Sequence, residues 1–225
     1  MPIVRLDKKV ITFTGNVDKF FQGLTSNSLD KPFNAFLNIN GRIIATIEQK
    51  RISDDILIAV VATQALVPLT AAIERFARLN KTTITVTDLL VYHDTDRSIA
   101  LIDGDESIDL ACGRLLITTR QLTDSLTPDE YTRFRLQAHF PLHTIDFNSD
   151  EMILNVHEHD YVSYTKGCFL GQEPVAKVHH RAKPTWKLAV RFADQCTPEE
   201  QAKMTSKVSD TMSGRMQGFV FVKNI

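Results

Sequence analysis

The chain has little of what marks a specialised architecture. Of 225 residues only 9 are glycine and 8 proline, too few for a collagen-like or low-complexity chain. There are 3 cysteines, Cys112, Cys168 and Cys196, an odd number, widely spaced and without a C-x-x-C pair. That excludes a disulfide-built miniprotein and suits free thiols in a reducing compartment. No run of five like charges occurs, and 26 Lys and Arg against 27 Asp and Glu leave a net charge of −1. Tight non-specific DNA binding is thereby disfavoured, while a local RNA-facing patch, with tRNA as its partner, stays open. The longest apolar stretch, Ile56 to Ala62, is far below the ~20 residues of a membrane span. Met1 to Asp7 has neither the apolar stretch of a secretion signal nor a transit-peptide pattern. A cytoplasmic protein without a membrane partner is expected.

Common catalytic signatures are also missing. The sequence has no G-x-S-x-G, G-x-x-x-x-G-K-[ST], G-x-G-x-x-G or H-E-x-x-H. What is present is an ordinary globular balance, 43% hydrophobic and 24% charged. A chain of this length buries roughly 70% of its unfolded surface, enough for one or two cores.

Pattern and turn chemistry predict an α+β fold with mixed or antiparallel sheets and packed helices. Strands are expected at Val10–Phe13, Ala35–Ile39, Arg42–Lys50, Ile56–Val61, Thr82–Thr87, Ser98–Ile102 and Arg114–Thr118. Asn40-Gly41 between two apolar runs predicts a hairpin in which both turn residues take positive φ. Helices are expected at Asp18–Leu24 and Gln64–Leu79, the second from the spacing of Leu66, Leu69, Ile73, Phe76 and Ala77. Thr127-Pro128-Asp129-Glu130 reads as a capping box with proline at the first helical position, and Pro141 ends that helix. Trp186–Phe192 and Phe219–Val222 read as strands around a polar connection, so residues 184–225 form a short C-terminal β module after a main region of 1–183.

The histidines give no strong metal signal. His157 and His159 share a face if their segment is a strand, but no thiols lie near enough in sequence to complete a tetrahedral set. The densest chemistry is Lys166-Gly167-Cys168-Phe169-Leu170-Gly171-Gln172-Glu173, followed by helical signals from Val175 to Arg181. Pro174 suits only the first turn of that helix, which puts Cys168 on the approach to a helix N-terminus, where thiol pKa values fall. Gly167 lets backbone approach a ligand closely. Gln172 and Glu173 offer groups for the edge of a donor-rich heterocycle. The residues alone leave Cys168 open among three roles: a nucleophile with His179 or His180 as base, a redox thiol, or a structural cysteine in a tight turn.

The K-G-C-[FY]-x-G-Q-E segment resembles the signature of the YgfZ-type folate-binding proteins, relatives of the glycine cleavage aminomethyltransferase (T-protein). Asp18 to Asn27 resembles the D-x-x-F-L-Q-G-x-x-T-N stretch of that family. Asn40-Gly41-Arg42 falls at its K-G-R hairpin, and Tyr161 to Thr165 matches the approach to the signature. The resemblance implies a central cavity for tetrahydrofolate or a derivative. Gln172 and Glu173 would meet the pterin, a cation among Arg42, Lys177 and Arg181 the anionic tail, and Lys166 and Gly167 would belong to the same site. It further implies a role in iron–sulfur cluster assembly or repair through a reactive Cys168, with cluster-assembly factors or iron–sulfur proteins as partners. Where transferase relatives carry paired Asp residues, this chain has Ala45 and Thr46. The alternative, folate-dependent aminomethyl transfer or demethylation, therefore needs another carboxylate, with Glu48 and Asp54 as candidates. Ser28 replaces a family Asp and His139 a family Gly. About 40 residues after Lys183 suggest a truncated barrel.

Overall fold

The computed structural model describes residues 1–224, with the backbone alone at Glu158 and Ala182. Strand β1 (Ile3–Arg5) leads into β2 (Lys8–Gly15) and helix α1 (Val17–Leu24). Strands β3 (Phe33–Leu37), β4 (Ile43–Arg51) and β5 (Ile56–Ala62) precede helix α2 (Thr63–Asn80) and strand β6 (Thr82–Thr87). β2 to β6 form a five-stranded antiparallel sheet in the order β3-β4-β5-β2-β6. Strands β7 (Leu90–Asp94), β8 (Glu106–Leu110) and β9 (Gly113–Thr118) join β1 in a four-stranded sheet, β1-β7-β9-β8.

The uninterrupted apolar run of β5 follows from burial on both faces. Leu57, Ala59 and Val61 pack with α1 and α2, against Phe13, Phe20, Phe21, Leu69 and Ile73. Ile58 and Val60 pack on the other side with Val91, Leu115 and Ile117 of the second sheet. A strand covered once would alternate; one covered twice does not. Helix α3 (Pro128–Gln137) begins at the Thr127–Glu130 capping box and adds Tyr131 to the inter-sheet core. The helix stops before Pro141, and His139 takes φ +50.

Aromatic rings run through the middle of the molecule. Tyr161 and Phe33 lie 5.4 Å apart, Phe33 and Phe140 6.4 Å, Phe140 and His93 5.4 Å, and His93 and Tyr131 5.7 Å. His93 is fully buried. Its Nε2–H donates to the Cys112 carbonyl at 2.7 Å, and Nδ1 accepts from the Tyr131 hydroxyl at 3.0 Å. His143 is also buried, stacked on Phe147. Burial lowers both imidazoles from 6.5 to about 4.

The C-terminal part contains β10 (Trp186–Phe192), helix α4 (Pro198–Lys203), β11 (Thr205–Ser209) and β12 (Met216–Lys223), in a three-stranded antiparallel sheet β10-β12-β11. It is an open sheet, with no closed barrel. It docks on the main body through Val208 and Phe219, which pack with Leu136 of α3, and through polar groups. The Arg135 guanidinium on α3 pairs with Asp146 at 2.5 Å and donates to the Ser206 hydroxyl at 2.6 Å. Asp146 also accepts from Thr205, Ser206 and the Leu142 N–H. Ser206 reaches this pair because β11 shifts register between Thr205 and Val208, with Ser206 at φ +49. Arg135 also lies over the Phe219 ring of β12.

Three expectations are corrected. Ser98–Ile102 is not a strand, because it is held in a loop whose Ser98 and Ile99 N–H groups bind the buried Asp94 carboxylate. His157 and His159 do not share a strand face, since a helical turn begins at Glu158. Only Gly41 of the hairpin pair has positive φ; the Asn38 side chain accepts from the Asn40 and Arg42 N–H groups and closes the loop instead.

Replacing Arg135 by Met leaves Asp146 buried without its countercharge. It is expected to cost about 3–5 kcal/mol, read as a lowered urea midpoint. Because His93 and His143 bind protons more weakly folded than unfolded, stability is full above pH 6.5 and is lost as pH falls from 6.5 towards 4. The loss amounts to on the order of 3 kcal/mol per histidine, and His93→Gln should flatten the urea-midpoint profile over that interval.

Candidate functional site

Three segments far apart in sequence meet at the C-terminal end of α1. The Lys166 ammonium donates to the carbonyls of Phe21 at 3.3 Å, Thr25 at 2.6 Å and Asn27 at 3.0 Å. Phe21 O and Asn27 O also accept from Thr25 and Asn34, and a cation at a helix C-terminus is favoured by the macrodipole as well. Burial lowers this ammonium from 10.5 to about 8. Leu170 N–H donates to Gly23 O at 2.9 Å, and a Cβ at Gly167 would stand 2.7 Å from Gln22 Nε2. Ser26 and Asn27 reciprocate: the Ser26 hydroxyl donates to Tyr161 O and the Asn27 amide to Asp160 O.

The β3–β4 hairpin closes the third side. Helix α5 (Gln172–Lys177) starts after Gly171 at φ +81. A Cβ on Gly171 would clash with Asn38 O and stand 3.3 Å from Gly41. A Cβ on Gly41 would meet Val175 at 3.0 Å and Pro174 at 3.2 Å. Hairpin and helix therefore touch backbone to backbone.

The larger described cavity, about 860 Å³, lies beyond this contact. Arg42 on the hairpin, Met152, Val178 and Lys183 to Thr185 after α5, and Trp186, Lys203, Phe221 and Lys223 of the C-terminal part line it. The volume is within the range of small-molecule sites. Its wall combines an indole and a phenyl ring with the cations Arg42, Lys183, Lys203 and Lys223 and the acids Glu151, Glu199 and Glu200.

Of the residues expected from the sequence to form the site, Arg42 lines this cavity. Lys166 and Gly167 are used in the packing around α1. Cys168 is exposed, with Phe169 to Gly171 between it and α5. Gln172 is half-buried and Glu173 exposed on the first turn of α5. Arg181 is exposed in the turn between the lining residues Val178 and Lys183. His179 stacks on Tyr164 at 3.9 Å and meets His180 edge-on at 4.7 Å. The wall residues Lys183, Trp186, Lys203, Phe221 and Lys223 escape sequence reasoning because they come from separate segments without a shared motif.

The candidate carboxylates for one-carbon transfer are engaged. Ala45 and Thr46 are buried. Both Glu48 oxygens lie 2.5 Å from the Lys8 ammonium, and Asp54 pairs with Arg51 at 3.2 Å. Among the described residues no three His, Cys, Asp or Glu side chains are grouped to hold a metal ion. No helix among them is long and apolar enough to cross a membrane.

The arrangement can be set beside known structures. The crystal structure of glycine cleavage system aminomethyltransferase T from Bartonella henselae superposes with a TM-score of 0.72 at 12% identity, over 99% of this chain and 78% of that one. The fold is aminomethyltransferase-like. No family model matches the sequence.

Gly171→Ala combines a left-handed backbone with a clash on Asn38 and is expected to cost about 2 kcal/mol or more. Gly23→Ala, with open space around the new methyl group in α1, should be neutral or stabilising by up to about 1 kcal/mol. Thermal unfolding of the two variants checks the contrast.

Proposed function

We propose that this protein binds tetrahydrofolate or a close derivative and acts as an accessory to iron–sulfur cluster proteins, with Cys168 as its functional thiol. The observation that carries the reading is the meeting of the three family-like segments, 18–27, 40–42 and 161–173, around one contact beside a ligand-sized cavity. The aminomethyltransferase-like fold supports it.

The cavity suits such a ligand. Trp186 and Phe221 offer apolar faces to a pterin or aminobenzoyl ring, and Glu151, Glu199 and Glu200 offer acceptors for its N–H groups. Arg42, Lys183, Lys203 and Lys223 suit the carboxylates of the tail. Arg181 follows α5 between the lining residues Val178 and Lys183 and belongs to the rim in this reading, while Gln172 and Glu173 stand at the start of that helix, outside the lining. When bound, tetrahydrofolate supplies reduced pterin nitrogens able to carry a one-carbon unit. The protein would hold and orient it, while Cys168 stays exposed for exchange with a partner. Aminomethyl transfer as such gains nothing from the geometry, since the nearest carboxylate candidates are already paired with Lys8 and Arg51.

Tetrahydrofolate titration followed by calorimetry and by Trp186 fluorescence should show saturable binding, because the chain's 1 tryptophan lines the cavity. Arg42→Ala is expected to weaken that binding about tenfold. Absence of saturable binding rejects the folate assignment. In a complementation assay for cluster-dependent enzymes, Cys168→Ser should lose function and Cys112→Ser keep it; full activity of both rejects the thiol.

A further inference from the structure

The edges of the sheets differ in how they are guarded. An open edge strand offers unpaired N–H and C=O groups, and proteins usually cover it, shorten it, bulge it or charge it. The β3 edge is covered by the chain itself: Ser26 N–H donates to Ala35 O, and Thr25 bridges Phe36. β1 has 3 residues, and Ser125 and Asp124 bond its backbone. β8 carries Glu106 and Asp109, and β10 carries Lys187 and Arg191. β11 is bulged and carries Lys207.

Strand β6, Thr82-Thr83-Ile84-Thr85-Val86-Thr87, has none of these devices. It is the last strand of the five-stranded sheet and pairs with β2 alone. It contains no charge, proline or glycine, and four of its residues are β-branched threonines. Gly15 N–H bonds Asp55 O on the β5 side of β2, so Thr14, Thr12 and Val10 face β6. Their partners Thr83, Thr85 and Thr87 are thereby satisfied, and Ile84 and Val86 turn their backbone groups to the open side, while Thr82 is buried and its hydroxyl donates to Asn16 O. Val86 is 44% exposed. The strand is bracketed by Lys81 and Asp88, both exposed, and among the described residues neither forms an ion pair.

We infer that β6 pairs antiparallel with β6 of a second copy of this chain, joining two five-stranded sheets edge to edge. The bracketing charges choose both partner and direction. Antiparallel pairing sets the Lys81 end of one strand beside the Asp88 end of the other, at both ends of a two-fold interface. Parallel pairing would set like charges together. The interface rests on main-chain hydrogen bonds across a narrow strip, so the dimer is concentration-dependent and weakened by salt.

Sedimentation equilibrium of the full chain over a concentration series tests the inference. The native protein should pass from monomer to dimer with rising concentration. Val86→Pro removes an outward N–H without touching the bonds to β2 and should stay monomeric. Lys81→Glu should weaken association about tenfold or more, and the exchange Lys81→Glu/Asp88→Lys should restore it. The exchange concerns exposed side chains and decides the matter if the proline variant does not fold. A native chain that stays monomeric, a dimer undisturbed by Val86→Pro, or an exchange that fails to restore association overturns the inference.

Discussion

Among the described residues the Lys166 ammonium has no carboxylate beside it in its shell of hydrogen bonds; it is held by main-chain carbonyls at the end of α1. The carbonyls of Phe21 and Asn27 also accept from Thr25 and Asn34, so the ammonium matters most to Thr25 O, which it meets at 2.6 Å; a buried acceptor left unpaired costs about 1–3 kcal/mol. The ammonium in turn gives up part of its hydration, which is why its proton is held less tightly. The exchange fixes the position of everything that follows it in the chain. Gly167 comes to rest on Gln22, Leu170 bonds Gly23, and Gly171 reaches the hairpin. A lysine that looks from sequence like a partner for a reactive thiol or a ligand is thus also the fastener of the segment that carries them.

The same division between frame and surface runs through the site. The glycines of the signature segment serve close packing, whereas Cys168 and Glu173 remain exposed. The cavity wall is completed by the C-terminal sheet, whose seat depends on Arg135 and Asp146. An apolar face alone would let a small sheet slide over the body. A buried ion pair with directed hydrogen bonds to Thr205 and Ser206 favours one seating, and so gives the cavity a defined shape.

Much of the fold was legible where local chemistry and packing agree. Thr82–Thr87 and Trp186–Phe192 match their predicted spans, and Thr127 to Glu130 forms the capping box that its letters spell. A matching pattern, Thr197-Pro198-Glu199-Glu200, caps α4, yet that helix of 6 residues has no apolar stripe, so periodicity hides it in a polar connection. Strands β1, β7 and β8 are short, 3, 5 and 5 residues, and owe their existence to neighbours distant in sequence. The site was half legible for a related reason. A contiguous motif marks the packed frame, but a cavity assembled from Arg42, Trp186 and Lys223 leaves no trace in any one window of sequence.

The bare contact between Gly41 and Gly171 has a mechanical consequence. With no side chain between them, the loop and the helix start have no soft layer to absorb displacement. A tilt of one is passed to the other, so the Arg42 wall and the thiol-bearing loop must shift as a unit. A molecule entering on one side of that seam would be felt on the other.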